Sequence, residues 1–352
     1  MEIVFWSSLI FLAYAFFGYP LLLAIAGTVA RRPVHKRPIE PAVTVILASR
    51  DDAATIDERV QNILDVDYPR EKLQVIVSLD GPSNGAGELA EKYGPEGVEF
   101  IQSHTPRGKA AAINAAVARA TGDILVFADA RQTFDPAAVR QLASNFADFR
   151  VGAVSGDLIL ENGRAAACGQ AVGVYWNYEK MIRAMESRVH SIVGVTGAIY
   201  AIRRRLFEAL PDDLILDDVF TPMKVVLSGK RVVFEPDAKA YDGVSCCAEA
   251  EYTRKVRTLA GNYQLLARMP VLLVPIRNPL WWQFTSHKVC RLIAPFALAA
   301  LFISNALLVG GAYYAAFFVV QSAWYSAALM GRIEMNRRLP ARGWTAESRK
   351  AA

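Results

Sequence analysis

Two uncharged stretches bracket the chain: neither residues 3–30 nor Leu292–Gly331 contain Asp, Glu, Lys or Arg. The first exceeds the roughly 20 residues a helix needs to cross a bilayer, so it reads as one span, tilted or kinked at Pro20. Ala24 and Ala26 form an A-x-A-like cleavage site, but no basic segment precedes the run, which argues against a cleaved signal peptide. The second stretch divides at Gly310-Gly311 into Leu292–Val309 and Gly310–Gly331, the pattern of an antiparallel hairpin. Arg31, Arg32, Lys36 and Arg37 follow the first span, His287, Lys288 and Arg291 precede the hairpin, and Arg332, Arg337, Arg338 and Arg342 follow it. All three clusters obey the positive-inside rule if the N-terminus is outside. The pattern therefore predicts three transmembrane helices, one in 1–30 and two in 286–331, with a basic linker at 31–41 and a basic tail at 332–352.

Between them the period changes. From Ala42, short β-branched runs alternate with helical stretches: VTVILAS and Thr55–Leu64, LQVIVSLD and Gly87–Lys92, VEFIQS and Lys109–Arg119, DILVFAD and Pro136–Phe146. This alternation predicts an α/β domain over 42–248, built on a parallel, doubly wound sheet. Residues 171–188 read as an amphipathic helix whose stripe of Val174, Tyr178, Met181 and Met185 packs into the core. In 249–285, Tyr252, Val256, Leu259, Tyr263 and Leu266 form one apolar seam opposite Arg254, Arg257, Gly261 and Arg268. Such a helix suits a membrane surface with its cationic ridge toward the cytosolic domain, and Trp281 and Trp282 suit an interfacial belt.

Composition narrows the class. With 53% hydrophobic and 21% charged residues among 352, the chain is neither disordered nor a disulfide scaffold. The net charge of +5 resides at the ends, +3 in residues 1–38 and +4 in 332–352, which leaves the middle at −2 and excludes a basic nucleic-acid-binding core. Cys168, Cys246, Cys247 and Cys290 lack a C-x-x-C spacing and read as reduced thiols rather than zinc ligands.

Ligands of open α/β sheets bind beyond the carboxyl ends of the strands. That rule selects Arg50, Asp51 and Asp52 after the first strand, Asp80 after the second, and Asp129 and Arg131 after the fourth. Asp129 ends an apolar run, where a carboxylate needs a cation, a metal or a ligand. Asp80 opens the turn DGPSNG and could simply shape it. Lys109 follows Gly108 at a helix start, where a cation and backbone amides can meet phosphate, although a solvated lysine is the plain alternative. Asp217 and Asp218 begin a further helix, as chemistry or as caps.

Taken in order, these motifs resemble the family 2 glycosyltransferases, in particular the membrane-bound, polysaccharide-synthase-like group. The resemblance covers about Ala42 to Gln264 and rests on Arg50-Asp51-Asp52, Asp80, Gly108-Lys109-Ala110 with Asn114, the D-x-D-like Asp129-Ala130-Arg131, Thr196-Gly197-Ala198, Leu216-Asp217-Asp218, and Arg254-Lys255-Val256-Arg257-Thr258. It implies a Rossmann-like GT-A domain on the cytoplasmic side of a bacterial inner membrane. It also implies an inverting transferase that moves a hexosyl or N-acetylhexosaminyl group from a nucleotide sugar, a UDP-sugar foremost, to a lipid-linked or polysaccharide acceptor in exopolysaccharide or envelope glycan synthesis. Asp218 is then the catalytic base; Asp52, Asp80, Lys109, Asp129, Arg131 and Arg257 bind the donor; Gly197, Asp217 and Trp176 contact the acceptor. Tyr175, Trp176 and Tyr178 could equally be core packing.

The departures from the family pattern matter. The second carboxylate of the D-x-D element, a metal ligand in many members, is Arg131 here. The implied Mg²⁺ or Mn²⁺ then rests on Asp129, as a weakened site, or Arg131 replaces part of its charge. Arg254 and Thr258 stand where long-chain synthases carry Gln and Trp, and three spans cannot enclose a polysaccharide channel. An oligomer, separate export partners or transfer of only a few sugars would each account for this. The same departures leave a second reading, a catalytically silent binding protein of a polysaccharide assembly complex. A sugar-phosphate nucleotidyltransferase, which needs no membrane hairpin, fits less well.

Overall fold

The computed structural model describes residues 1–82, 85–161, 168–243 and 248–338. Ser83 and Asn84 of the DGPSNG turn, Cys246, Cys247 and Arg342 lie outside them. In chain order the helices and strands are α1 (Glu2–Ala13), α2 (Tyr19–Val29), β1 (Val43–Ser49), α3 (Ala53–Leu64), β2 (Leu73–Leu79), α4 (Ala86–Tyr93), β3 (Val98–Gln102), α5 (Lys109–Val117), β4 (Ile124–Ala128), β5 (Thr133–Phe134) and α6 (Ala138–Ser144). They continue with β6 (Val151–Glu161), α7 (Cys168–Val189), β7 (Ile199–Arg203), α8 (Asp217–Leu227), β8 (Arg231–Gly243), α9 (Ala248–Arg268), α10 (Trp281–Phe284), α11 (Cys290–Leu307) and α12 (Ala312–Arg338).

Two compact units result. One gathers Met1–Leu22, Cys247–Leu259 and Thr285–Ala352; the other gathers Leu23–Cys246 and Ala260–Phe284. Along the chain, α1 runs into α2 through a π turn at Tyr14–Gly18, and α10 into α11 through another at Thr285–Val289. Among the described residues, two helical runs, Glu2–Val29 and Trp281–Leu307, are long and apolar enough to cross a membrane. Phe5 packs edge-on against Tyr314 and Phe317, with ring centroids 5.2 and 5.7 Å apart, and Tyr14 shares a 2.6 Å hydrogen bond with Ser286.

The second unit is built on an eight-stranded sheet in the order β3-β2-β1-β4-β7-β6-β8-β5. All seven residues of β1 and all five of β4 are buried, as near-continuous apolar runs require. The four strands predicted from alternation run parallel, but β7 lies antiparallel to both β4 and β6, and β5 antiparallel to β8. The expected wholly parallel sheet is therefore mixed. The reversal arises because no crossover helix returns the chain beside β4; that position is filled by β7, which enters from the opposite end. Strand order reverses about β1, with β2 on one side and β4 on the other, so the crevice beyond their carboxyl ends is the switch point where ligands bind.

Helix α7 corrects a second expectation. Val174 and Met181, assigned to its core stripe, are 73% and 46% exposed, whereas Glu179, Ile182 and Glu186 are buried. Apolar spacing identifies residues that share a face, but the partners available in the fold decide which face is covered. In α9 the seam residues Tyr252, Val256, Leu259 and Tyr263 are exposed, and the buried side carries Gly261, Asn262 and Leu265.

Candidate active site

Three strand ends supply the crevice. After β2, Asp80 is only 6% exposed, and its carboxylate accepts hydrogen bonds from the backbone amides of Arg107 at 2.7 Å and Gly108 at 2.9 Å. The Arg50 guanidinium, after β1, closes an ion pair on the same carboxylate. Asp80 thus clamps the loop that delivers Lys109, and Gly108 within that loop has φ +103°, a conformation that favours glycine. Asp52 caps α3, its carboxylate accepting from the Thr55 amide at 2.8 Å; that bond holds it below the usual carboxylate range. Asp51 pairs with the Ser49 hydroxyl at 2.6 Å.

Lys109, the first residue of α5, reaches across to β4. Its Nζ lies 2.7 Å from Asp129 Oδ1 and 3.9 Å from Asp217 Oδ2. Desolvation opposes its charge, but Asp217 and Asp129 more than compensate and raise its pKa. Asp217 and Asp218 fill the first turn of α8, where carboxylates complement the helix dipole. The Asp218 carbonyl accepts the Val195 amide at 2.8 Å, and a Cβ placed on Gly197 would lie 3.8 Å from Asp218 Cβ. The fold therefore brings together Lys109, Asp129, Asp217, Gly197 and Asp218 from four separate segments.

The remaining candidates lie differently. Arg131 is exposed between buried Ala130 and Gln132 and has no ion-pair partner among the described residues. Trp176 donates its indole N–H to the Leu158 carbonyl at 2.8 Å, with the Arg183 guanidinium 5.4 Å above its ring. Arg183 in turn donates to the Thr196 hydroxyl beside Gly197. Arg257 is exposed on the first half of α9, which belongs to the unit of apolar helices.

Two residues of the site are absent from the sequence reading. Arg59, 1% exposed, donates Nε–H to the Asp129 carbonyl at 3.1 Å and lies 3.9 Å over the Phe134 ring. Burial lowers its pKa to about 9, with Asp129 partly restoring it. Its signal was an arginine on the apolar face formed by Ile56, Val60 and Ile63. Tyr200 is buried and stacked on Phe127, with centroids 4.6 Å apart. Burial first, then Asp217, Asp218 and Asp129, raise its pKa and keep the phenol neutral. It looks like an ordinary apolar-strand tyrosine in sequence.

Residues 44–210, which contain the β1, β2 and β4 ends, match the model for glycosyl transferase family 2. This stretch of the chain is a glycosyl transferase family 2 domain. Among curated relatives of this chain, poly-β-1,6-N-acetyl-D-glucosamine synthase of Staphylococcus aureus is 27% identical over 236 residues, covering 64% of this chain and 56% of the relative. A probable glycosyltransferase, YdaM, of Bacillus subtilis is 22% identical over 239 residues, covering 65% and 57%. The chain thus spans a little over half the length of these relatives. The mannosyltransferase PcManGT of Pyrobaculum calidifontis, solved with GDP-Man and Mn²⁺, superposes with a TM-score of 0.65 over 93% of this chain and 98% of its own, at 24% identity. The fold is accordingly an α/β GT-A-like one with a mixed sheet.

Proposed function

We propose that this family 2 glycosyltransferase is a membrane-bound inverting enzyme that transfers a sugar, an N-acetylhexosamine or hexose, from a nucleotide sugar to a lipid-linked or polysaccharide acceptor. The observation that carries the reading is the convergence of Lys109, Asp129 and the Asp217-Asp218 helix start on the strand-end crevice, with Gly197 packed beside Asp218. The likeness to a poly-N-acetylglucosamine synthase supports a glycan product, and the mannosyltransferase solved with GDP-Man supports a nucleotide-sugar donor.

In this reading the acceptor hydroxyl attacks the anomeric carbon from the face opposite the diphosphate. Asp218 takes the hydroxyl proton, the C1–O bond to phosphate breaks with its electron pair leaving on oxygen, and the centre inverts. One carboxylate base suffices, unlike the carboxylate pair of glycoside hydrolases. Asp217 and Lys109 lie within ion-pair distance of each other beside that base, and the exposed Arg131, two residues after Asp129, serves as a phosphate-binding cation. Asp52 and Asp80 order the loops on which the nucleotide rests, and Trp176 flanks the acceptor side.

The resemblance also implies a divalent cation, and the donor set fits it poorly. Among the described residues no group of three or more His, Cys, Asp or Glu is placed to hold a metal ion. Asp129, the one carboxylate left in the D-x-D-like element, already carries an ammonium at 2.7 Å.

The membrane assignment rests on Glu2–Val29 and Trp281–Leu307, the two runs among the described residues that are long and apolar enough; we read the uncharged part of α12 as a third span, and the flanking basic clusters favour a cytoplasmic catalytic domain with the N-terminus outside. Purification of product from membranes incubated with radiolabelled nucleotide sugars tests the function. Asp218→Asn is expected to lower turnover by about 10²–10⁴-fold with donor affinity retained. Wild-type membranes that transfer no sugar while the protein still binds nucleotide would instead identify the silent binding protein.

A further inference from the structure

The breaking C1–O bond leaves its electron pair on the diphosphate, whose added negative charge must be met by a fixed cation or a metal. Asp129 is the residue on which a metal would depend, and cations approach it from two directions. Lys109 Nζ sits 2.7 Å from its carboxylate, and the buried Arg59 guanidinium holds its carbonyl oxygen. Arg59 is itself locked. It donates to the Asn62 side chain, and Asn62 is bonded to both the N–H and the C=O of Phe134, at 2.7 and 3.0 Å. Both ends of the turn from Asp129 to Phe134 are therefore pinned to α3. A divalent ion entering here would find one carboxylate in the D-x-D-like element, already paired with Lys109, and would meet two resident positive charges.

The same turn displays Arg131. Ala130, Gln132 and Phe134 point inward, 7%, 4% and 3% exposed, and Gln132 is tied to Asp242 at 2.8 Å, so the exposed Arg131 between them projects from a rigid base. A guanidinium presents a planar fork that matches two phosphate oxygens and needs no metal to do so.

We propose that in this chain Lys109 and Arg131 neutralise the nucleoside diphosphate leaving group in place of a divalent cation, and that Asp129 is a positioning residue which holds Lys109 rather than a metal ligand. The inference rests on the glycosyltransferase reading above. The leaving group needs no proton: its oxygen gains the electron pair of the C1–O bond and is met by N–H donors already charged, while the acceptor proton goes to Asp218.

The test is calorimetric binding of UDP, GDP and dTDP to the full-length protein in nanodiscs, in excess EDTA and in excess Mn²⁺, alongside electron paramagnetic resonance of added Mn²⁺. The tightest-binding nucleotide is expected to keep its affinity within about twofold on chelation, and the protein to remove no Mn²⁺ signal beyond that removed by nucleotide alone. Arg131→Ala, at an exposed position, is expected to melt like wild type and to lose about tenfold in affinity in EDTA and in Mn²⁺ alike. Wild-type affinity that falls tenfold in EDTA and returns with Mn²⁺, or an Arg131→Ala variant that binds like wild type, overturns the proposal. A protein that melts cooperatively yet binds none of the three nucleotides in either condition removes the glycosyltransferase reading itself.

Discussion

Asp80 shows how one side chain can act through a loop rather than on a ligand. Its carboxylate accepts two backbone amides and a guanidinium, and the amides belong to the two residues before Lys109. Replacing it by the isosteric Asn removes the charge and substitutes a donor for one acceptor, which leaves a loop amide unsatisfied. Asp80→Asn should destabilise the protein by about 1–3 kcal/mol, measured by denaturant unfolding, and weaken nucleotide binding because Lys109 loses its fixed start. Unchanged stability with normal binding would show that the loop holds itself. At this scale the sequence was informative about chemistry but not about partners. An Asp after an apolar strand demanded a cation, and nothing in the residue order said that Lys109 supplies one side and Arg59 the other.

Within the second unit, the end of α9 packs on the residues before α8 through a glycine. A Cβ on Gly261 would stand 2.5 Å from Leu216 Cγ and 2.9 Å from Ile215 Cγ2, immediately before Asp217 and Asp218. Gln264 and Arg268 on the same helix bind the loop around Asp213, the Gln264 amide donating to its carbonyl at 2.8 Å and Arg268 pairing with its carboxylate. Gly→Ala inside a helix normally stabilises by about 1 kcal/mol. Overpacking here costs about 1–3 kcal/mol, so Gly261→Ala should be neutral to destabilising and should push Leu216 and the start of α8. The expected signature is a fall in turnover of about tenfold with donor affinity nearly unchanged; a variant with raised melting temperature and full turnover would show that the contact is slack. The amphipathic pattern of α9 was plain in its sequence, including Gly261 on the side away from the seam. For α7 the same reasoning chose the wrong face, because Ile182 found a partner and Val174 did not.

Across the molecule, charge is placed so that the ends are basic and the middle stretch slightly acidic, and stability carries its own pH dependence. His190 is held at a pKa of about 4, first by burial and then by Arg32 and Arg231, against about 6.5 in an unfolded chain. Its folded pKa is the lower one. The stability it contributes is complete above pH 6.5 and is lost as pH falls toward 4, because only the unfolded state takes up the proton. The loss should reach about 1–2 kcal/mol, less than full conversion of the shift because the ring is partly open to solvent. Comparing denaturant midpoints at pH 7 and pH 4.5 checks this. His190→Gln should flatten the change, and an equal slope in both proteins would assign it elsewhere. Asp148, held low by hydrogen bonds from Arg150, adds a separate loss only at more acidic pH.

The apolar blocks, the alternation of strands and helices, and the carboxylates at strand ends are local patterns, and the sequence alone determined them. Backbone periodicity and burial of contiguous apolar runs depend on near neighbours, so they could be read without the fold. The reversal of the sheet at β7, the buried face of α7, and the ring of charges about Asp129 were decided by tertiary structure. Arg59 and Asp129 lie 70 residues apart, and their meeting depends on β5 threading Phe134 beneath α3. Whether a lone D-x-D carboxylate binds a metal or an ammonium is a question of distance, and distance between remote residues exists only once the chain has folded.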